Sequence, residues 1–241
     1  PAGVFRPLIR LFLRRADVVI VLSEIEKAFL QTHYPSLPAD KIKVIPNAVA
    51  LPALPEGGKD FQAELAILFL GRIDWAKGLG RIAAALECLS KQDIPFRFYL
   101  CGVGPDKARF IQMLTAEVRS RVRDLGLVYG ERKQAVLQAS HIYLLPSDFE
   151  GLPLSLLECM SYGLVPVVSA VGSMPLVVKE TNGCLVSTVE EIVAAISRLH
   201  ADRDRLRALS QAARLAIEAG YSDQPFLRRM QSVNNSLFHL R

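Results

Sequence analysis

A chain of 241 residues, 51% hydrophobic and 22% charged, is long enough to bury a sizeable core. That balance excludes a disordered or collagen-like polypeptide. The 29 Lys and Arg against 24 Asp and Glu leave a net charge of +5, which suits phosphate-bearing ligands or an anionic lipid surface, or serves solubility alone. The basic residues are scattered, without the aromatic–basic stripe of a nucleic-acid binder.

Cys88, Cys101, Cys159 and Cys184 lie far apart, with no C-x-x-C pair and no metal-ligand spacing. They read as reduced, mostly buried thiols of a cytosolic protein. No apolar run approaches the ~20 residues of a membrane span. No signal peptide is visible. The sequence starts at Pro1 as if in the middle of a fold, and is read as a fragment or trimmed product.

In chain order, a first helix precedes a strand in ADVVIVL (16–22), a helix near 24–33 and a strand in KIKVI (41–45). The stretch 49–60 is rich in Pro and Gly, lacks periodicity and reads as a linker. Beyond it, strands are predicted at 65–71, 96–101, 125–129, 141–146, 164–169 and 183–187. Helical patterns lie near 78–91, 106–122, 132–139, 153–162 and 189–200, with a further helix after that and a last one that Ser222 or Asp223 caps. Short β-branched runs apolar on both faces, alternating with helices, predict an α/β, Rossmann-like doubly wound parallel sheet.

In such a sheet ligands bind beyond the carboxyl ends of the strands, so the loops there carry the chemistry. After the strand at 65–71 comes Gly71-Arg72-Ile73-Asp74-Trp75-Ala76-Lys77-Gly78. A guanidinium and an ammonium five residues apart, beside a helix N-terminus, suit an anion. Two surface cations, one paired with Asp74, are the alternative. After 96–101 comes Cys101-Gly102-Val103-Gly104-Pro105, where the third glycine of a dinucleotide fingerprint would fall on Lys107. That fingerprint fails, leaving a tight turn at a cleft or a purely structural turn.

The strand at 141–146 leads into Ser147-Asp148-Phe149-Glu150-Gly151-Leu152-Pro153 and a helix containing Glu158. Pro153 suits the helix's first turn and Gly163 its C-terminal cap. Glu150 then precedes the helix and Glu158 sits about five residues inside it, ~7–8 Å along the axis. Ionised carboxylates accept from hydroxyls, so one glutamate can hold a ribose and the other a sugar, with pyrophosphate on the amides between. A capping Glu150 and a solvated Glu158 are the alternative.

Taken in order, LFLGRIDWAKG, LCGVGP, VYG, SHIYLLPS and EGLPLSLLECMSYGLVPVVS resemble the retaining glycosyltransferases of family 4, which have the GT-B fold. The resemblance covers roughly 16–235. It implies that 1–48 is the tail of an N-terminal acceptor domain, 49–60 a linker, 61–220 the nucleotide-sugar-binding domain and 221–241 a C-terminal crossover helix.

By the same resemblance, Arg72 and Lys77, beside Gly71, neutralise the donor diphosphate. Glu150 contacts the transferred hexose and Glu158 the ribose hydroxyls. The amides of Gly151, Leu152, Leu154 and Ser155 line sugar and phosphates, and the loops holding Gly102 and Tyr129 face the base. Transfer retains configuration without a metal, no cofactor beyond the donor sugar nucleotide is needed, and Arg72, Lys77 and Glu150 carry the catalysis. Pro153 stands where the family often has a glycine, and His141 where it often has an aspartate. His141 reads as structural. His33, His200 and His239 lack motif context.

The expected function is hexose transfer to a carbohydrate or lipid-linked acceptor in polysaccharide or glycolipid biosynthesis. The chain alone is expected to be inactive. The base, which could be that of a UDP-sugar, is not legible. Arginines 6, 10, 14 and 15 among large apolar residues are read as packing on the missing domain. A cytoplasmic protein touching the inner face of an anionic membrane there is the alternative. Rival functions are a non-catalytic sugar-nucleotide-binding scaffold and a nucleotide-sugar epimerase.

Overall fold

The computed structural model describes residues 2–54 and 58–238; His239 and part of the 49–60 stretch lie outside them. The described residues up to Ala48, with those from Gly220 onward, form one compact unit, and Val49–Ala219 form another.

The smaller unit opens on α1 (Ala2–Arg15), followed by β1 (Val19–Val21), α2 (Glu24–His33) and β2 (Ile42–Val44). The two strands run parallel. Their small core is Val21, Leu37 and Ile42, with Leu13, Leu30, Tyr34 and others packed against it. Ser23 caps α2 by accepting from the Glu26 amide at 3.2 Å.

The larger unit holds six strands: β3 (Leu65–Leu70), β4 (Phe96–Cys101), β5 (Val122–Gly126), β6 (Ile142–Leu145), β7 (Val165–Ser169) and β8 (Cys184–Val186). All pairings are parallel, in the order β5-β4-β3-β6-β7-β8. Its helices are α3 (Leu79–Lys91), α4 (Lys107–Met113), α5 (Ala116–Arg121), α6 (Gly130–Ala139), α7 (Leu154–Ser161), α8 (Met174–Val177), α9 (Val189–Ala201) and α10 (Arg203–Gly220). The chain's last described helix, α11 (Asp223–Phe238), belongs to the smaller unit.

This is the doubly wound α/β sheet, in Rossmann order, that the sequence predicts. The order explains the composition of the strands. Central β6 and β7 are buried throughout, and both are near-continuous apolar runs. The order reverses between β3 and β6, so the loops after these two strands flank the crevice where such sheets bind ligands.

Two predicted elements differ. The expected helix over 106–122 is two helices, because Leu114 and Thr115 adopt extended backbone and the Thr115 hydroxyl caps α5 through the Val118 amide. The expected strand at 125–129 lies at Val122–Gly126 instead. It is an edge strand, paired to β4 alone, so Arg123 and Asp124 reach solvent there without penalty. The apolar Leu127 and Tyr129 lie past the sheet and are exposed. Period and hydrophobicity pointed to the wrong half of this segment.

Candidate functional site

The loop after β3 is fastened on both sides. Gly71 N–H donates to the Cys101 carbonyl at 3.0 Å, and Ile73 N–H to the Val103 carbonyl at 2.9 Å, which binds it to the loop after β4. Gly102, at φ +143°, lies so close that a Cβ there would fall 1.8 Å from the Gly71 carbonyl oxygen. Asp74 caps the 3-10 turn Trp75–Lys77 through the Ala76 amide. Asp106 accepts from the Trp75 amide at 2.8 Å, and the Arg109 guanidinium sits 4.0 Å over the indole.

On the other side the same loop meets the one after β6. Asp148 N–H donates to the Ala76 carbonyl at 2.9 Å, and Arg81 of α3 donates twice to the Pro146 carbonyl. Gly78, at φ +78°, approaches Pro146 so closely that a Cβ would fall 1.9 Å from its carbonyl oxygen. Three strand ends therefore hold one another in place, and the side chains between them have little freedom to drift.

Lys77 and Glu150 meet across this crevice, Nζ to Oε1 at 2.7 Å. Glu150 is only 8% exposed. The Ser147 hydroxyl donates to the same oxygen at 2.8 Å, and Ser169 holds Ser147 by a bond to its carbonyl. One carboxylate oxygen thus takes two donors. Arg72 is 70% exposed, its Nε 3.7 Å from Asp74, too far for a hydrogen bond. The surface-cation alternative thus describes Arg72 but not Lys77.

Pro153 proves to be the N-cap of α7, with ψ 126°, rather than part of its first turn. Leu154 and Ser155 begin the helix, where N–H groups have no acceptor within it. Ser155 Oγ lies 2.7 Å from the buried Tyr143 hydroxyl, and burial holds Tyr143 well above its ordinary pKa. Leu152 is buried and Gly151 exposed. Gly163 closes α7 at φ +71° with the paired C-terminal bonds of a Schellman turn, Leu164 to Cys159 and Gly163 to Met160.

Glu158 is 29% exposed but not alone: the Lys133 ammonium of α6 pairs with its Oε2 at 2.6 Å. Cys159 beside it is fully buried, and burial, then the Glu158 charge, holds the thiol well above its usual pKa. Tyr129, just ahead of α6, is 72% exposed. Gly102 N–H bonds the Gly126 carbonyl, so the turns carrying Gly102 and Tyr129 start from adjacent strand ends. Among the described residues no cluster of three or more His, Cys, Asp or Glu could hold a metal ion.

Sequence reasoning missed Lys133, Ser147 as a partner of Glu150, and the supports Arg81, Asp106 and Arg109. Ser147 lay inside the quoted motif at i−3 from Glu150 and could have been read as its donor. Lys133 sits 25 residues from Glu158, and no local signal joins them.

The sequence pattern of the family Glycosyl transferases group 1 matches residues 64–202, more than half of the chain. This chain belongs to that family. The pattern of Glycosyltransferase Family 4 matches 2–51.

A glycosyltransferase of Escherichia coli strain K12 named for colanic acid biosynthesis, WcaL, is 28% identical over 97% of this chain and 60% of its own length. Sucrose-phosphate synthase from Thermosynechococcus elongatus superposes with a TM-score of 0.79 at 26% identity, over 96% of this chain and 61% of that one. TarM of S. aureus, solved with fondaparinux, α-GlcNAc-glycerol and UDP, gives 0.79 at 20% identity over 94% and 45%, a likeness of fold. The chain spans about 60% of the length of the curated relatives it matches first.

Proposed function

We propose that this chain is the donor-binding part of an enzyme that moves a hexose from a nucleotide-diphosphate sugar to a carbohydrate or lipid-linked acceptor, with retention of configuration. The observation that carries the reading is the Lys77–Glu150 pair, 2.7 Å long and bridging the two loops at the switch point of the sheet. A buried carboxylate near a diphosphate would repel it. Here Lys77 neutralises that charge while leaving Oε2 of Glu150 to accept from sugar hydroxyls.

Arg72, exposed and loosely tied, can turn its fork onto the diphosphate. The amides of Leu154 and Ser155, with those of Gly151 and Leu152, line the path between hexose and phosphates. Glu158 takes the ribose hydroxyls, and Gly102 and Tyr129 border the base. As the bond to the departing diphosphate breaks, charge grows on its oxygens, and Arg72 and Lys77 are placed to stabilise it without a metal ion.

The acceptor site lies on a further domain outside this chain, so the chain by itself binds donor weakly and transfers nothing. α1 exposes Leu8, Ile9, Leu11 and Phe12 beside Arg10, Arg14 and Arg15, a face for that domain or for anionic lipid. Calorimetric titration of the chain with UDP-, GDP- and ADP-sugars tests the reading. One of the three binds, with EDTA leaving its affinity unchanged and Arg72→Ala weakening it at least tenfold by the loss of a charge-assisted fork. Silence toward all three sugars would sink the proposal.

A further inference from the structure

We infer that Lys133 is a positioning residue for nucleotide recognition, aiming Glu158 so that its second oxygen meets the ribose. The inference rests on the reading of Glu158 as the ribose acceptor and adds a residue that the family resemblance did not single out.

Lys133 lies in the first turns of α6, and Glu158 lies midway along α7. These helices follow β5 and β6, on opposite sides of β4 and β3 in the sheet order. Nζ reaches Oε2 at 2.6 Å, and both side chains are a little more than a quarter exposed. The pair is therefore screened less than a surface ion pair and wetter than a buried one.

The same design occurs at Glu150, where Lys77 and Ser147 both occupy Oε1. In each glutamate a lysine fixes one oxygen and leaves the other, Oε2 of Glu150 and Oε1 of Glu158, without a hydrogen-bond partner among the described residues. A vicinal diol needs an acceptor of fixed direction, and an ammonium clamped on the far oxygen supplies it at no steric cost to the ligand.

Lys133 would also offset the repulsion between Glu158 and a diphosphate lying along α7. A second ammonium in contact with the phosphates is a different role, and it makes a different prediction. Loss of a phosphate contact weakens ribo- and deoxyribonucleotides alike. Loss of positioning erodes the distinction between them.

The test uses the full 241-residue chain with UDP, GDP and ADP, each beside its 2′-deoxyribose and 3′-deoxyribose counterparts, and reads the ratio of dissociation constants. The wild-type chain should prefer the ribonucleotide, and Glu158→Gln should abolish most of that preference. Lys133→Met should reduce the preference about fivefold, the scale of one weakened charge-assisted hydrogen bond, and Lys133→Arg should restore much of it.

If Lys133→Met keeps the wild-type ratio, with or without a uniform loss of affinity, the positioning role is overturned while the ribose reading stands. An unaltered ratio in Glu158→Gln, or no preference in the wild-type chain, removes the ribose reading itself. Far-ultraviolet circular dichroism of each variant separates misfolding from these outcomes, and a folded Lys133→Met is expected because its partner keeps a solvent path.

Discussion

The two ends of the six-stranded sheet are both rich in polar groups, and they use them differently. At the amino ends of the strands, Lys59 and the His141 ring spend all their hydrogen-bonding capacity on the protein. Lys59 Nζ donates to the carbonyls of Leu137, Gln138 and Ser140 at 2.7, 2.9 and 2.6 Å, one for each of its protons. His141 Nδ1 accepts from the Ala66 amide at 3.0 Å, and Nε2 donates to the Asp60 carbonyl at 3.0 Å. At the carboxyl ends, each glutamate has one oxygen taken and one to spare, and Arg72 is nearly free. Saturated hydrogen bonding marks Lys59 and His141 as structural, whereas the spare, oriented capacity lies at the end we propose for the donor.

The sharpest way to break that contrast is Lys77→Ala in the complete enzyme, with Arg72→Ala beside it. Each should lower turnover by about 100-fold or more, the scale of one lost electrostatic contact to a developing oxyanion. Arg72→Ala should hardly move the melting temperature, because that side chain is exposed, whereas Lys77→Ala should also lower it by leaving the buried Glu150 carboxylate without its ammonium. Near-normal turnover in both variants would show that the spare capacity serves something else. A large drop in stability without loss of binding would erase the distinction between the two ends.

Lys59→Ala should do the reverse. It leaves three carbonyls at the end of α6 without their donor, a loss of about 2–3 kcal/mol. Burial, the largest influence, lowers the Lys59 pKa to about 7 against a smaller opposing effect of Cys159, and the three carbonyls around the amine accept from its charged form. Urea denaturation should record the loss, and nucleotide affinity measured under native conditions should be unchanged. Affinity that falls in step with stability would mean that the two ends are coupled through the sheet.

Much of this division was legible in the sequence. The strands β3, β4, β6 and β7 could be read because buried parallel strands are apolar on both faces, and the loops that follow them carry Arg72, Lys77 and Glu150 in recognisable strings. His141 was identified as structural. β5 was misplaced because an edge strand tolerates Arg123 and Asp124, so the hydrophobic pattern pointed downstream to Leu127 and Tyr129. The pairing of Lys133 with Glu158 was invisible for a different reason: it depends on strand order, which brings α6 and α7 together across 25 residues of sequence. Composition and period carry information about one element at a time, whereas ion pairs between elements belong to the topology.

The smallest expected effect concerns His141, and it has a sign. Because Nδ1 accepts a backbone N–H, the ring must be neutral with its proton on Nε2, and protonation would set two donors face to face. Burial, the largest influence, lowers its pKa below the ordinary 6.5; the bond to the Asp60 carbonyl opposes this, and the nearby Lys59 and Arg203 charges add to the lowering. The unfolded chain therefore binds a proton more readily than the folded one just below pH 6.5. The contribution is complete above that value and is lost as the pH falls through the lowered folded pKa. Replacement by Gln, which can still accept from Ala66 and donate to Asp60, should cost about 1 kcal/mol at neutral pH. It should also flatten the acid limb of the stability curve, measured by urea midpoints between pH 7 and 5. A wild-type midpoint that rises on acidification over that range, or a variant whose acid limb is as steep as before, would show that His141 is not held neutral by its two backbone partners.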